Sequence, residues 1–253
     1  MNEFSSSKAE KSDLKKRPKP DRCLIKISGE GFSGDHSLGK KPLKYLGDQL
    51  VEAKEASGAE IAVVVGGGNI LRGAEQGLMR RELADYAGMT ATLINALAYK
   101  SCLEERGIPT IIQSALSVEK IGNPIDHDKA INHIESGGVV IFACGTGNPY
   151  FTTDTAAALR AGEIGADVIL KGTQVNGVYT SDPKRKKKAE FIEKLSYEDI
   201  FKKDLGIIDP SAAKICQQTD IPMVIFNLYK EGGLKSILLG EKEGTFVYSM
   251  LGN

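Results

Sequence analysis

Short, unbroken apolar runs recur along this chain, separated by segments with the spacing of amphipathic helices. The clearest runs are Cys23-Leu24-Ile25-Lys26-Ile27, Ile61-Ala62-Val63-Val64-Val65, Val139-Val140-Ile141-Phe142-Ala143, Asp167-Val168-Ile169-Leu170 and Pro222-Met223-Val224-Ile225-Phe226, with residues 109–113 a further candidate. A strand that is apolar at successive positions must be covered on both faces, the condition met in parallel sheets flanked by helices. Helical patterns over 42–57, 82–106, 128–136, 155–161, 196–203 and 210–219 fill the intervals. The alternation predicts an α/β fold, a three-layer αβα sandwich around a mainly parallel sheet. In such sheets ligands bind beyond the carboxyl ends of the strands. Most of the glycine-rich segments fall there.

The 253 residues suit one large α/β domain or two small lobes, with a possible division near Gly165. Residues 22–165 and 166–253 are the corresponding halves. Hydrophobic residues make up 41%, enough for a substantial core. The 33 basic and 33 acidic side chains cancel, which gives no bias toward nucleic acid or an anionic membrane. No apolar run approaches the ~20 residues of a membrane helix. Residues 1–21 are polar, rich in Ser and Lys, and broken by Pro18 and Pro20. Without an apolar core segment they read as a disordered tail, not a secretory signal. Cys23, Cys102, Cys144 and Cys216 are far apart and form no C-x-x-C pair, which argues against a disulfide framework or structural zinc and fits a reducing cytosol. A cytoplasmic protein is expected, with no nucleic-acid or membrane partner. The basic run 184–188 reads as a solvated loop.

Several motifs fail on inspection. Gly29-Glu30-Gly31-Phe32-Ser33-Gly34 matches G-x-G-x-x-G after a strand, but dinucleotide binding needs a helix to open inside the motif, and here one is expected only near Pro42. A protein-kinase glycine loop would need downstream H-R-D and D-F-G motifs, which are missing from the sequence. Gly68 to Gly73 has the outer spacing of a Walker loop, yet Ala74-Glu75 replaces the required Lys-Ser/Thr. His36, His127 and His133 show no metal-ligand spacing, and there is no G-x-S-x-G elbow.

What remains points to phosphate. Lys26 lies inside an apolar strand, where a cation is costly unless paired, so an anion is expected at the strand end. Gly66-Gly67-Gly68-Asn69 lets backbone approach a ligand closely, and Arg72 can fork onto phosphate oxygens. Lys171-Gly172-Thr173 follows another strand, and residues 176–183 read as a hairpin and turn. The string Gly145-Thr146-Gly147-Asn148-Pro149-Tyr150-Phe151-Thr152-Thr153-Asp154 joins a buried strand to a strong helix former. Such a junction offers free N–H groups at a helix N-terminus. The plainer reading, Thr152 or Thr153 as a helix cap with Asp154 in the first turn, accounts for only one of these residues. Two cations, three glycine-rich strand ends and no nucleophile fit phosphoryl transfer, which needs positioning and charge neutralisation more than covalent help.

These segments together resemble the bacterial uridylate (UMP) kinases of the amino acid kinase family. The carriers are Lys26-Ile27-Ser28-Gly29-Glu30, Val65 through Gly73, Ala84-Asp85-Tyr86-Ala87-Gly88-Met89, the 145–154 string, residues 176–183 and Gly240-Glu241-Lys242-Glu243-Gly244-Thr245. The resemblance implies transfer of the ATP γ-phosphoryl to UMP, with Mg²⁺ bound mainly through the nucleotide phosphates and no metal ligand from the protein. Lys26 and Arg72 would neutralise the transferring group, and Asp154 would orient the catalytic lysine. Ser28, Gly29 and Gly68 would line the ATP phosphates, with Thr173, Tyr179 and Asp182 at the ATP base and ribose. Gly67, Asp85, Thr146, Gly147, Asn148, Pro149, Tyr150, Phe151, Thr152 and Thr153 would hold UMP, Asp85 at the ribose hydroxyls. The resemblance further implies a homohexamer, GTP as activator and UTP as inhibitor. The sequence departs from the family pattern at Asn176, where Asp is usual, at Thr90, and over 122–129, which lacks arginines common elsewhere. Two alternatives stay open from the sequence: a relative that phosphorylates a carboxylate or carbamate, and a nucleotide-binding storage or regulatory protein on the same fold.

Overall fold

The computed structural model describes residues 17, 19–35, 37–71, 79–181, 189–203 and 205–250. Its strands are β1 (Arg22–Ile27), β2 (Glu60–Val65), β3 (Thr110–Ser114), β4 (Asn123–Pro124), β5 (Val139–Ala143), β6 (Val168–Thr173), β7 (Val178–Tyr179), β8 (Phe191–Ile192), β9 (Lys194–Ser196), β10 (Met223–Asn227) and β11 (Thr245–Tyr248). Its helices are α1 (Lys40–Ser57), α2 (Arg81–Glu104), α3 (His127–Glu135), α4 (Thr153–Glu163), α5 (Tyr197–Lys203), α6 (Pro210–Thr219) and α7 (Gly233–Leu238). Among the described residues nine strands form one sheet in the order β4-β3-β5-β2-β1-β6-β10-β11-β9, and β7 pairs antiparallel with β8 apart from it. The strands from β4 through β10 run parallel. At the far edge β11 reverses against β10 and carries β9 parallel to itself.

The continuous apolar runs are the central strands, and both of their faces are covered. Cys23, Ile25 and Ile27 of β1 share one core with Leu50 of α1, Tyr99 of α2 and Leu238 of α7. Leu24, Ala62 and Val64 share the other with Ile134 of α3, Ala158 of α4 and Cys216 of α6. This is the expected three-layer arrangement. Residues before Gly165 supply the β4-β3-β5-β2-β1 half, and those after it supply β6-β10-β11-β9. β1 and β6 meet at the seam, in the centre of the sheet.

Helix limits follow local chemistry. Asp209 caps α6 by accepting from Ser211 N at 2.8 Å, and Pro210 takes the first helical position. α4 begins two residues before the expected start because Thr152 accepts from Asp154 N at 3.1 Å and so serves as its cap. Residues Gly29–Phe32 form only a short 3-10 turn, and α1 does not open until Lys40, so the G-x-G-x-x-G match does not have dinucleotide geometry. β9 and β11 were not expected. They are short, and exposure alternates along β11, so neither presents a continuous apolar run.

Of the segment expected to be disordered, Arg17 and 19–21 are described, and Arg17 N donates to Gly240 O at 3.1 Å. Residues 1–16 and the basic run 184–188 lie outside the described residues. Among the described residues no helix is long and apolar enough to cross a membrane.

Candidate active site

Lys26 and Lys171 are register partners on the adjacent parallel strands β1 and β6. Their side chains lie on the face covered by α4, whose small Ala156, Ala157, Ala158 and Ala161 leave little bulk between helix and sheet. Two neighbouring buried ammoniums need a counter-charge, and Asp154 in the first turn of α4 supplies it. Lys26 Nζ lies 3.0 Å from Asp154 Oδ1, an ion-pair contact, while Lys171 Nζ donates to Asp154 Oδ2. All three side chains are only 11–12% exposed. Burial pushes the Asp154 carboxyl upward, but the charges of Lys26 and then Lys171 outweigh it and hold the pKa at about 2. For Lys171 burial dominates and lowers the pKa, against the pull of Asp154. The anion expected beside Lys26 is therefore the protein's own, and the triad keeps one net positive charge at the carboxyl ends of the strands.

The turn after β2 packs directly on the turn after β1. A Cβ on Gly29 would sit 2.5 Å from Gly68 N, and one on Gly66 would sit 2.7 Å from Gly29 N. Only glycine permits that approach. Helix α2 fixes these loops from behind. Buried Asn95 donates to Gly66 O at 2.7 Å and to Asn69 Oδ1 at 2.7 Å, and Thr92 Oγ1 accepts from Cys144 N at 2.7 Å. Cys144 has a φ of 62°, unusual for a residue with a Cβ, so that bond supports a strained turn at the end of β5. Neither Asn95 nor Thr92 belongs to a sequence motif. Their signal is a polar side chain on the otherwise apolar face of α2. Asn95→Ala is expected to cost about 1–3 kcal/mol, since Gly66 O and Asn69 lose their partner. A lower urea midpoint at unchanged m would show it, and an unchanged midpoint would mean that other donors replace the amide.

The 145–154 string curls over the carboxyl end of β5. Thr146 Oγ1 bonds within the turn, accepting from Asn148 N at 3.1 Å. Tyr150 N donates to Asp85 Oδ2 at 2.8 Å, and Arg81 Nε holds both Asp85 oxygens at 2.9 Å. Thr152 Oγ1 donates to Asp209 Oδ2 at 2.8 Å, and Thr155 Oγ1 reaches the same oxygen at 3.0 Å. Asp209 thus ties the starts of α4 and α6 together, while Lys171 Nζ donates to Ile207 O at 2.6 Å just before it.

Three hollows follow one another along this end of the sheet. The first, about 440 Å³, is bounded by Lys26, the 66–68 glycines, Asp85, Arg81, Phe151 and Thr153. The second, about 390 Å³, shares Lys26, Ser28 and Glu30 with it and continues past Lys171 to Thr173 and Val175. The third, about 330 Å³, carries on from Asn176 to Tyr179, Phe191 and Phe246. A cationic triad at the meeting of two hollows can neutralise a phosphoryl group passing between them.

A model of the amino acid kinase family matches residues 21–227. The chain belongs to the amino acid kinase family. It is a phosphotransferase of that family. It is similar to the UMP kinase from Bacillus anthracis, at 32% identity and a TM-score of 0.88 over 91% of this chain and 97% of that one. The UMP kinase from Ureaplasma parvum matches at 35% identity and a TM-score of 0.84, over 90% of this chain and 99% of that one. The uridylate kinase from Archaeoglobus fulgidus matches at 26% identity and a TM-score of 0.68, over 89% and 99%.

Within this family member, the residues singled out from the sequence fall into distinct places. Lys26, Ser28, Gly29, Gly67, Gly68, Asp85, Asn148, Phe151, Thr152 and Thr153 all border the first hollow. Thr146, Gly147, Pro149 and Tyr150 do not border it and instead shape the loop around it. Asp154 lies behind Lys26, and Thr173 and Tyr179 border the second and third hollows respectively. Arg72 and Asp182 lie outside the described residues. Lys171, Arg81 and Asp209 were not assigned roles from sequence. Lys171 carried a related signal, a lysine that closes an apolar run where Lys26 interrupts one. At the unusual Asn176, the side-chain oxygen accepts from Asn227 Nδ2 at 3.0 Å, a contact an aspartate could also make.

Proposed function

We propose that this chain is a UMP kinase, passing the γ-phosphoryl group of ATP to UMP to give UDP and ADP in pyrimidine nucleotide synthesis. The observation that carries the proposal is the Lys26–Asp154–Lys171 triad, set between the hollow bounded by Asp85 and Thr153 and the one that leads to Thr173. UMP occupies the first hollow, its ribose hydroxyls toward the Asp85 carboxylate and its phosphate toward Lys26. ATP lies along the second and third, with its base toward Tyr179. A UMP phosphate oxygen forms a bond to the γ-phosphorus as the bond to the β–γ bridging oxygen breaks, and that electron pair leaves on ADP. No covalent enzyme intermediate is needed. Lys26 and Lys171 neutralise the shared charge of the transferring group, Asp154 holds both ammoniums in place, and Arg72 adds a further cation on the strength of the family pattern. Glycine turns at 29 and 66–68 bring backbone N–H groups to the phosphates.

Asp154, the buried carboxylate nearest the transfer point, is engaged by two lysines, and no cluster of three metal-ligating side chains occurs among the described residues. The described residues of the site therefore do not fit a metal held by the protein alone. Mg²⁺ would come with the ATP phosphates, and no step above depends on it.

A small carboxylate or carbamate acceptor suits the first hollow poorly, because it would leave much of a space of about 440 Å³ unfilled and the Asp85 side of it unused. An intact triad likewise favours transfer over storage. The test is a coupled assay with ATP, Mg²⁺ and each of UMP, CMP and AMP, with and without GTP and UTP. UMP should turn over in preference, with GTP raising the rate and UTP lowering it. Turnover of CMP or AMP without UMP would overturn the substrate, and ATP binding without transfer would favour storage.

The proposed homohexamer draws support from α2, where Leu83, Tyr86, Ile94 and Leu97 are 40–47% exposed along one side. Four large apolar side chains at helical spacing suit a second copy of the chain. Sedimentation velocity should give the hexamer, and a monomer would overturn it.

A further inference from the structure

The segment before β1 returns to the turn between α7 and β11. Arg17 N donates to Gly240 O at 3.1 Å, and its guanidinium donates to Glu243 O and, at 2.9 Å, to Gly244 O. The guanidinium also lies over the Phe246 ring, 5.3 Å from its centre. The turn is shaped to receive it. Gly240 has a φ of 79°, and a Cβ there would come within 2.7 Å of Arg17 O. This is a seated contact, with a left-handed glycine directly beneath it.

The same turn forms one wall of the third hollow. Arg17 itself borders this hollow with Glu243, Gly244 and Phe246, and Asn176, Tyr179 and Phe191 supply a second wall. The two walls are joined, because Thr245 Oγ1 accepts from Val178 N at 2.8 Å, one residue before Tyr179. Holding the 243–246 backbone therefore also holds Tyr179, whose ring meets Phe191 edge-on at 5.5 Å. Aromatic rings beside a side-chain amide suit the planar base of a purine nucleotide.

We propose that Arg17 is a positioning residue of the donor-nucleotide pocket, fixing the 243–246 wall against which the ATP base rests. This inference rests on the reading of the third hollow as the donor-base site. Arg17 takes no part in the transfer itself. Its fork bonds two successive carbonyls, which a lysine cannot reproduce with one ammonium.

The test uses the full chain with Arg17→Ala, Arg17→Lys and, as a probe of the pocket, Tyr179→Ala. For Arg17→Ala the KM for ATP should rise about tenfold, the size expected for losing hydrogen bonds from a charged group. The KM for UMP and kcat should stay within about twofold. Arg17→Lys should fall between the wild type and Arg17→Ala, and it carries the test alone if the alanine variant does not fold. An unchanged KM for ATP in both Arg17 variants, with a raised value in Tyr179→Ala, would refute the role of Arg17 and leave the pocket assignment standing. If Tyr179→Ala also leaves the KM for ATP unchanged, the base binds elsewhere and both ideas fall. A parallel loss of kcat and of both affinities would make Arg17 merely structural, which also overturns the proposal.

Discussion

Replacing Lys26 with alanine is expected to lower kcat at least ~100-fold, the loss typical of removing one preorganised donor from a transition state. The physical reason is placement. Lys26 lies on the central strand, 11% exposed, with its ammonium held 3.0 Å from Asp154 Oδ1 at the meeting of the first two hollows. Phosphoryl transfer spreads charge over oxygens that water would otherwise solvate, so a fixed, desolvated cation does more there than a mobile one. The KM for UMP should change much less than kcat, because UMP keeps Asp85 and the 148–153 loop. Steady-state kinetics on a variant whose thermal midpoint confirms folding gives the answer. Near-normal kcat in that folded variant would remove Lys26 from the mechanism. Because Lys171 shares the same carboxylate, the effects of replacing the two lysines should not add.

The second large effect concerns Asp154. Asp154→Ala leaves two buried ammoniums side by side, and breaking a buried ion pair from one side costs about 3–5 kcal/mol. Activity should fall with stability, since both lysines lose their anchor. A pH series separates the charge from the packing. The carboxyl titrates at about 2 in the fold against an ordinary value of 3.8, so its ionised form is favoured by folding. That contribution, about 2 kcal/mol, is fully present above about pH 5 and is lost as pH falls through the folded value. The stability gap between wild type and Asp154→Asn should therefore narrow by about 2 kcal/mol from pH 5 toward pH 2, read from urea midpoints. A gap that does not change over that range would show that the carboxylate gains nothing from its lysines.

Much of this molecule is legible in the sequence, for identifiable reasons. Each central strand is largely apolar because both faces are covered, so the runs announce themselves. The helix expected over 210–219 is α6 at those same bounds, and the structure adds the reason for its start, the Asp209 cap followed by Pro210. The edge strands gave no such signal. β9 and β11 have few residues and uneven burial, and their place depends on β10 offering an open edge. At the site, Lys26 is a cation enclosed by its apolar run, while Lys171 only closes its run, a position where a solvated lysine is ordinary. Asp209 could not be foreseen, since its bonds to Thr152 and Thr155 join residues more than 50 positions apart.

The sequence by itself determined the α/β alternation, the glycine turns at the strand ends and the 145–154 string, because each depends on residues adjacent in the chain. Only the tertiary structure decided what those parts face. Register pairing of β1 with β6 sets Lys26 beside Lys171, and the packing of α4 lowers Asp154 between them. That juxtaposition follows from a sheet that pairs residues 26 and 171 and a helix packed on it that carries residue 154. Charge cost in a desolvated interior then fixes the pairing, a force that no local pattern records.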